Sequence, residues 1–166
     1  DENFPDSTCV EDVAVLTEKC AIITNPGAQS RKGEEKSVLS ALKSFYDKFE
    51  FIKDPGTLDG GDVMRVGNQF YIGLSKRTNY QGANQFVEIL KKYGYTGILV
   101  TVKDVLNLKY VVVYLENNIL LATGEKYKMR KKDKMYCYVE NGRIGLSSEI
   151  DSKDMVFGVN GWRKIK

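Results

Sequence analysis

Residues 62–102, DVMRVGNQFYIGLSKRTNYQGANQFVEILKKYGYTGILVTV, decide the fold. Asp62 to Val66 and Phe70 to Leu74 are short β-prone runs joined by Gly67-Asn68, a dipeptide that supplies the backbone angles of a tight hairpin. After the polar loop SKRTNYQG, Ala83, Phe86, Val87, Leu90 and Tyr93 recur at helical spacing, and Gly94 stops the helix. Gly97 to Val102 then reads as a closing strand. The segment is therefore one ββαβ unit.

The same order stands immediately upstream. Asp12 to Leu16 (DVAVL), a turn at Thr17 to Lys19, and Cys20 to Thr24 (CAIIT) predict a hairpin. Past the loop NPGAQSRKG, Val38, Leu39, Leu42, Phe45 and Tyr46 mark the apolar face of a helix whose first turn is acidic, as the helix dipole favours. A strand at Glu50 to Ile52 closes the unit. A shift of 50 lays Asp12-Val13 on Asp62-Val63, Cys20 on Phe70 and Ile22 on Ile72, so the chain carries an internal ββαβ repeat. A third unit opens with Tyr110 to Leu115 and returns through Ile119 to Ala122. Such units bury both faces only by stacking, as a ring of blades or an open array.

Beyond Gly124 the chain is Lys-rich and shows no helical periodicity. It reads as hairpins turning at Asn141-Gly142 and Asn160-Gly161. The expected organisation is α/β, with a partial propeller of about two and a half blades over 1–125 and a divergent β-rich tail over 126–166. The tail is either an ordinary divergent end or a fused or mistranslated one.

Composition narrows the chemistry. With 166 residues, 42% of them hydrophobic, one globular domain can bury a core; 28% are charged, with a net charge of +3. So small an excess selects neither nucleic acid nor an anionic membrane. No apolar run approaches a membrane span and the N-terminus has no signal-peptide pattern, so a cytoplasmic setting is expected. The first residue is Asp1, not Met, which hints at a missing upstream segment. Cys9, Cys20 and Cys137 are too few and too scattered for a disulfide framework or a zinc site. Cys9 and Cys20 read as small buried hydrophobes. No cofactor is expected. The chain has no histidine, which excludes every imidazole mechanism within it.

The repeat turns a list of polar residues into a constellation. Asp6, Glu11 and Asp12 lie at or before the opening strand of the first unit, Asp59 and Asp62 hold that place in the second, and Asn107 lies just before the third. Arg31 and Arg77 each follow their unit's second strand. Converging carboxylates suit a guanidinium, whose donors form a fixed fork, and arginines at the rim suit an α-carboxylate. Read alone, the same acids are also ordinary hairpin-edge charges, LDGGD is a turn signature, and the arginines are solvated surface. The loop NPGAQSRKG lacks the spacing of a phosphate-binding loop.

Three blocks in register carry a resemblance. PDSTCVEDVAVLTEKCAIITNPGAQSRKGE, TLDGGDVM and IGLSKRTNYQGA resemble the corresponding parts of the dimethylarginine dimethylaminohydrolases of the amidinotransferase, or pentein, superfamily, in order from Pro5 to about Glu125. The resemblance implies a five-bladed ββαβ propeller, of which this chain would carry the second blade, the third and part of the fourth. It also implies a reaction in which a cysteine attacks the guanidinium carbon, a histidine acts as acid and base, and water releases citrulline and a methylated amine. By position, Asp12 would grip the guanidino nitrogens, Asp59 would orient the histidine, and Asp6, Glu11, Arg31 and Arg77 would bind the substrate. The departures are Asn107-Leu108-Lys109, where the family has His-Leu-Lys, and Cys9, where it has an aromatic residue. The nucleophilic cysteine belongs to a later strand, and Cys137 resembles a structural cysteine of the family better. The resemblance and its departures together imply a catalytically incomplete relative. Two alternatives stand beside it: a module that binds arginine or citrulline without chemistry, and a structural subunit that pairs its open blade edges with another copy.

Overall fold

In the computed structural model, residues 3–102, 106–110, 112–114, 120–122, 127–128, 136–140, 143–147, 155–158 and 161–164 are described. The chain divides into two compact units, Asp1–Leu108 and Lys109–Lys166. This division falls earlier in the chain than the one expected at residue 125, because the third hairpin lies wholly inside the second unit.

The first unit contains the repeat. Strands β1 (Ala14–Leu16) and β2 (Ala21–Ile23) form an antiparallel hairpin, helix α1 (Glu35–Leu42) follows, and β3 (Phe49–Phe51) pairs parallel with β2. The order recurs in β4 (Val63–Val66), β5 (Gln69–Leu74), α2 (Tyr80–Lys92) and β6 (Thr96–Thr101), with β4–β5 antiparallel and β5–β6 parallel. Each sheet has three strands with the second in the middle. A parallel return to the central strand needs a crossover, and the helix supplies it.

The ladders correct one detail of the repeat. Val13 is opposite Thr24, whose N–H meets the Val13 carbonyl at 3.1 Å, whereas Val63 is opposite Ile72. The first hairpin is therefore longer by two residues, and its register lays Ile22 on Phe70, not on Ile72. Two residues restore the alternation of a strand. Cys20 and Ile22 thus face the same core as Phe70 and Ile72.

That core lies between the two sheets' inner faces and α2. Phe70 meets Phe86 of α2 edge-on at 6.0 Å and Tyr95 at 5.4 Å, an arrangement aromatic quadrupoles favour. Helix α2 is held at both ends: the Asn79 side chain accepts from the Gly82 N–H at 2.8 Å, and Gly94 takes φ +78° just past the last turn. Helix α1 is shorter than its apolar spacing predicts. It ends at Leu42, none of its residues is fully buried, and Phe45 is 80% exposed. Packing supplies most of a helix's stability, and here Phe45 of the last predicted turn has almost none. Nor does the Glu34 side chain, at the N-cap, bond the first turn, because its carboxylate is engaged by Arg31.

In the second unit, β7 (Val112–Tyr114) pairs antiparallel with β8 (Leu120–Ala122). Strands β9 (Tyr127–Lys128), β10 (Tyr136–Glu140) and β11 (Arg143–Ser147) form an antiparallel sheet with β10 central. β12 (Met155–Gly158) and β13 (Gly161–Lys164) form a hairpin. Residues 141–142 separate β10 and β11 as expected. Gly161, expected in the last turn, is instead paired with Gly158 as the first residue of β13. Residues 141–142 and 160 themselves lie outside the described residues. Among the described residues no helix is long and apolar enough to cross a membrane.

Candidate functional site

Two short 3-10 turns, Val10–Asp12 and Gly60–Asp62, lead into β1 and β4 and meet where the repeats pack. The contact leaves no room for side chains at the glycines. A Cβ on Gly60 would stand 1.9 Å from the Glu11 carbonyl oxygen, and one on Gly61 would stand 2.3 Å from Asn107 Nδ2 and 2.8 Å from Asp12 Oδ1. LDGGD is thus more than a turn: its glycines let carboxylates close around backbone. Gly61→Ala is expected to cost about 1–3 kcal/mol as Asn107 and Asp12 are pushed aside. Urea unfolding measures this, and an unchanged midpoint would show that the two side chains yield freely.

Asp12, Asp59 and Asp62 are all buried here, the last two fully. The Gly61 N–H donates to Asp12 Oδ1 at 2.9 Å and to Asp59 Oδ1 at 3.2 Å. Two buried carboxylates that share one donor oppose each other's ionisation. Burial, then the hydrogen bond to Asp12 and its charge, push Asp59 up to about 7. Burial opposes ionisation at Asp12 too, but the bond from Asp59, the charge and bond of Arg31, and the Gly61 N–H hold it below the usual carboxylate range. Below about pH 7 the pair therefore holds one proton, on Asp59 and directed at Asp12, and that proton is half lost at pH 7.

Arg31 is 2% exposed, which overturns its reading as solvated surface. Its guanidinium grips Glu34 with both forks, Nε to Oε2 at 2.6 Å and Nη2 to Oε1 at 2.9 Å. It also reaches Asp12 through Nη1 and the Cys9 carbonyl through Nη2 at 3.1 Å. These anions, Glu34 foremost, raise its pKa further. Arg77 is more open, with its side chain 25% exposed and Nη1 3.2 Å from Asp59 Oδ2.

Asp62 Oδ2 accepts from the Ser75 and Thr78 hydroxyls, each at 2.6 Å, and Oδ1 accepts from the Leu108 N–H at 2.9 Å. Burial raises its pKa against these donors. Asn107, 9% exposed, lies against Gly61 beside Asp12. Asp12, Arg31, Asp59, Arg77 and Asn107 are thus gathered around the glycine pair. The side chains of Asp6 and Glu11 are exposed, and the Glu11 backbone carbonyl lies against Gly60.

The spacing Arg31-Lys-Gly-Glu34 was the available signal for the buried ion pair. Ser75 and Thr78, the hydroxyl partners of Asp62, had no comparable signal. Cys20 is buried, and burial raises its thiol pKa, as suits a structural residue. Cys9 is exposed, contrary to expectation, because it precedes the 3-10 turn at the surface. The side chain of Cys137 lies outside the described residues. Among the described residues no group of His, Cys, Asp or Glu has the geometry to hold a metal ion.

Chemically, the site offers a proton-sharing carboxylate pair, a half-exposed arginine and an amide. Such a set can hold a planar cation by charge and by directed acceptors. Asparagine donates and accepts hydrogen bonds but does not exchange a proton near neutral pH.

Comparison with known proteins agrees with the resemblance. The family model described as arginine deiminase matches residues 24–109. The N(G),N(G)-dimethylarginine dimethylaminohydrolase of Pseudomonas aeruginosa is 52% identical over 126 residues, 75% of this chain and 50% of that protein. The protein of the same name from Streptomyces coelicolor is 37% identical over 121 residues, 73% of this chain and 47% of its own length. The chain therefore spans about half the length of the curated relatives it matches. A solved structure of the Pseudomonas aeruginosa protein, a mutant complexed with citrulline, superposes with a TM-score of 0.74 and covers 75% of this chain and 49% of that one. The N-terminal domain of ArgZ, a cyanobacterial arginine dihydrolase, shares the fold with a TM-score of 0.65 at 14% identity, over 72% of this chain and 45% of its own. On these matches the chain belongs to the arginine deiminase family, in the group that contains the dimethylarginine dimethylaminohydrolases.

Proposed function

We propose that the chain supplies the guanidinium-holding part of a pocket for a guanidino amino acid, methylated arginine, arginine or citrulline, and that it does not hydrolyse this ligand by itself. In the same reading its two ββαβ units are neighbouring blades of an α/β propeller, and its setting is the cytoplasm. The observation that carries the proposal is the Asp12–Asp59 pair on the Gly61 N–H with Asn107 packed against it. Asp12, kept ionised, faces the ligand's guanidino nitrogens; Asp59 orients residue 107; Asp6, Glu11 and Arg77 contact the amino-acid end. Arg31 has its donors engaged with Glu34, Asp12 and Cys9, so its part is to hold Asp12, while the more open Arg77 takes the carboxylate.

Hydrolysis of a guanidine needs a group that delivers a proton to the leaving amine and then activates water. This chain has no histidine, and Asn107 does neither. Loss of such a group alone costs about 10²–10⁴-fold in rate. Citrulline release from dimethylarginine is therefore expected to fall at least a hundredfold below that of an intact relative under the same assay. Turnover within tenfold of the relative would overturn the claim of inactivity.

The replacement of histidine by asparagine specifically favours the binding-module form of this reading, in which capture persists without chemistry. Calorimetry against L-citrulline, L-arginine and dimethylarginine tests it separately. Binding heat with at least one is expected, and no heat with any of the three rejects a guanidino ligand.

A further inference from the structure

Asp62 belongs to none of the roles above, yet every hydrogen bond it makes leads to a residue that has one. Through Oδ1 it accepts the Leu108 N–H, which fixes the backbone next to Asn107. Through Oδ2 it accepts the Ser75 and Thr78 hydroxyls, which bracket Arg77. Ser75 Oγ in turn accepts the Arg77 N–H at 3.0 Å and the Thr78 N–H at 3.2 Å. Thr78 Oγ1 accepts the Asp59 N–H at 3.1 Å. Two segments distant in sequence, 75–78 and 107–108, therefore converge on one fully buried carboxylate, and the Thr78 hydroxyl ties them to Asp59 in the carboxylate's own turn.

Counting donors makes that carboxylate specific. Ser75 Oγ already receives two N–H groups and Thr78 Oγ1 receives one, so each hydroxyl hydrogen is free to point only outward, at Asp62. With the Leu108 N–H, three donors aim at two oxygens, and a side chain that brings a donor of its own leaves one of them unmatched. An ionised acid satisfies all three; an amide does not. Crowding fixes the geometry further, since a Cβ on Gly73 would lie 2.8 Å from Asp62 Oδ1 and 2.9 Å from Leu108 Cβ.

We infer that Asp62 is a positioning residue that sets Asn107, Arg77 and Asp59 in register with one another through the Leu108 N–H and the Ser75 and Thr78 hydroxyls. The inference rests on the proposed function in taking those three residues as ligand-facing. Linkage of these segments is a separate claim with its own readout.

The test compares Asp62→Asn, Thr78→Val and Thr78→Ser with Phe86→Leu, a core change in α2, all at a temperature where each variant is folded. Against L-citrulline, Asp62→Asn and Thr78→Val are expected to weaken binding at least tenfold, while Thr78→Ser, which keeps the hydroxyl, and Phe86→Leu stay within about threefold of the parent, a tenfold change being about 1.4 kcal/mol. In amide hydrogen exchange without ligand, Asp62→Asn and Thr78→Val should speed exchange at Asp59, Arg77 and Thr78 together, with Asp62→Asn adding Leu108. Should the parent bind no guanidino ligand, the proposed function fails and the exchange arm alone decides the linkage. Should Asp62→Asn not fold, Thr78→Val reports on the Asp59 side of the same linkage. Equal behaviour of Thr78→Val and Phe86→Leu in both measurements would overturn the inference.

Discussion

Replacing Arg31 by methionine is expected to cost about 3–5 kcal/mol of folding stability, the range for removing one partner of a buried ion pair. Methionine fills most of the volume, so the loss is electrostatic. Glu34 and Asp12 remain buried with side chains 4% and 8% exposed, and the Cys9 carbonyl loses its donor. Asp12 would then lose the charge and hydrogen bond that help to hold its pKa down, so the penalty should be larger at pH 8 than at pH 5. Lysine at this position keeps the charge but cannot reproduce the two-pronged grip on Glu34, and an intermediate loss is expected. Changing Glu34 to leucine together with Arg31→Met should recover part of the loss, because an apolar pair leaves fewer charges stranded. Denaturant unfolding at the two pH values is the measurement. A loss under 1 kcal/mol, or one independent of pH, would show that Arg31 is not the counter-charge on which these acids depend.

The second large effect is a loss of stability with rising pH at Asp59. Its carboxyl titrates at about 7 in the folded chain against a reference of 3.8. The protonated form is the one the fold favours, so its contribution is fully present below the unfolded pKa and is lost as pH rises through 7. At 1.36 kcal/mol per unit, and with part of the shift belonging to Asp12, roughly 2–4 kcal/mol is lost by pH 8.5. Asp12 runs the other way: its lowered pKa contributes stability above 3.8 that disappears on acidification. Asp59→Asn fixes a permanent N–H donor toward Asp12 and cannot ionise. It should therefore be closest to the parent in stability near pH 4, gain on it as pH rises through 7, and be clearly more stable at pH 8.5. Melting curves across that interval decide the matter, since parallel curves for the two proteins would mean that no proton is held between Asp12 and Asp59.

The sequence made the two ββαβ units legible wherever local rules and packing agree. Gly67-Asn68, Asn79 and Gly94 are local signals, and Ile22, Phe70, Phe86 and Leu90 sit in the core their spacing implies. It failed where a distant partner decided the outcome. Glu34 stands where an acid would favour the helix dipole, yet its carboxylate goes to Arg31. The helix it begins stops at Leu42, since nothing buries Phe45. Arg31 sits in a polar loop, and only three-dimensional contact with Asp12 and Glu34 shows it to be interior. The acids of the site were legible as a set because the repeat places them at equivalent strand starts. Which of them are buried was not, because Glu11 and Asp12 are neighbours in sequence and only Asp12 turns inward.

The longer first hairpin carries a rule about how such a chain can change. Strand alternation behaves like a parity check: one inserted residue would send Cys20 and Ile22 to the wrong face, while two return them to it. The difference between the hairpins is even, which keeps Ile22 and Phe70 in one core despite unequal lengths. Divergence between the copies can therefore accumulate as drift in the outer loop without any renegotiation of the interior. Loop grafts exchanged between such units would be tolerated in steps of two.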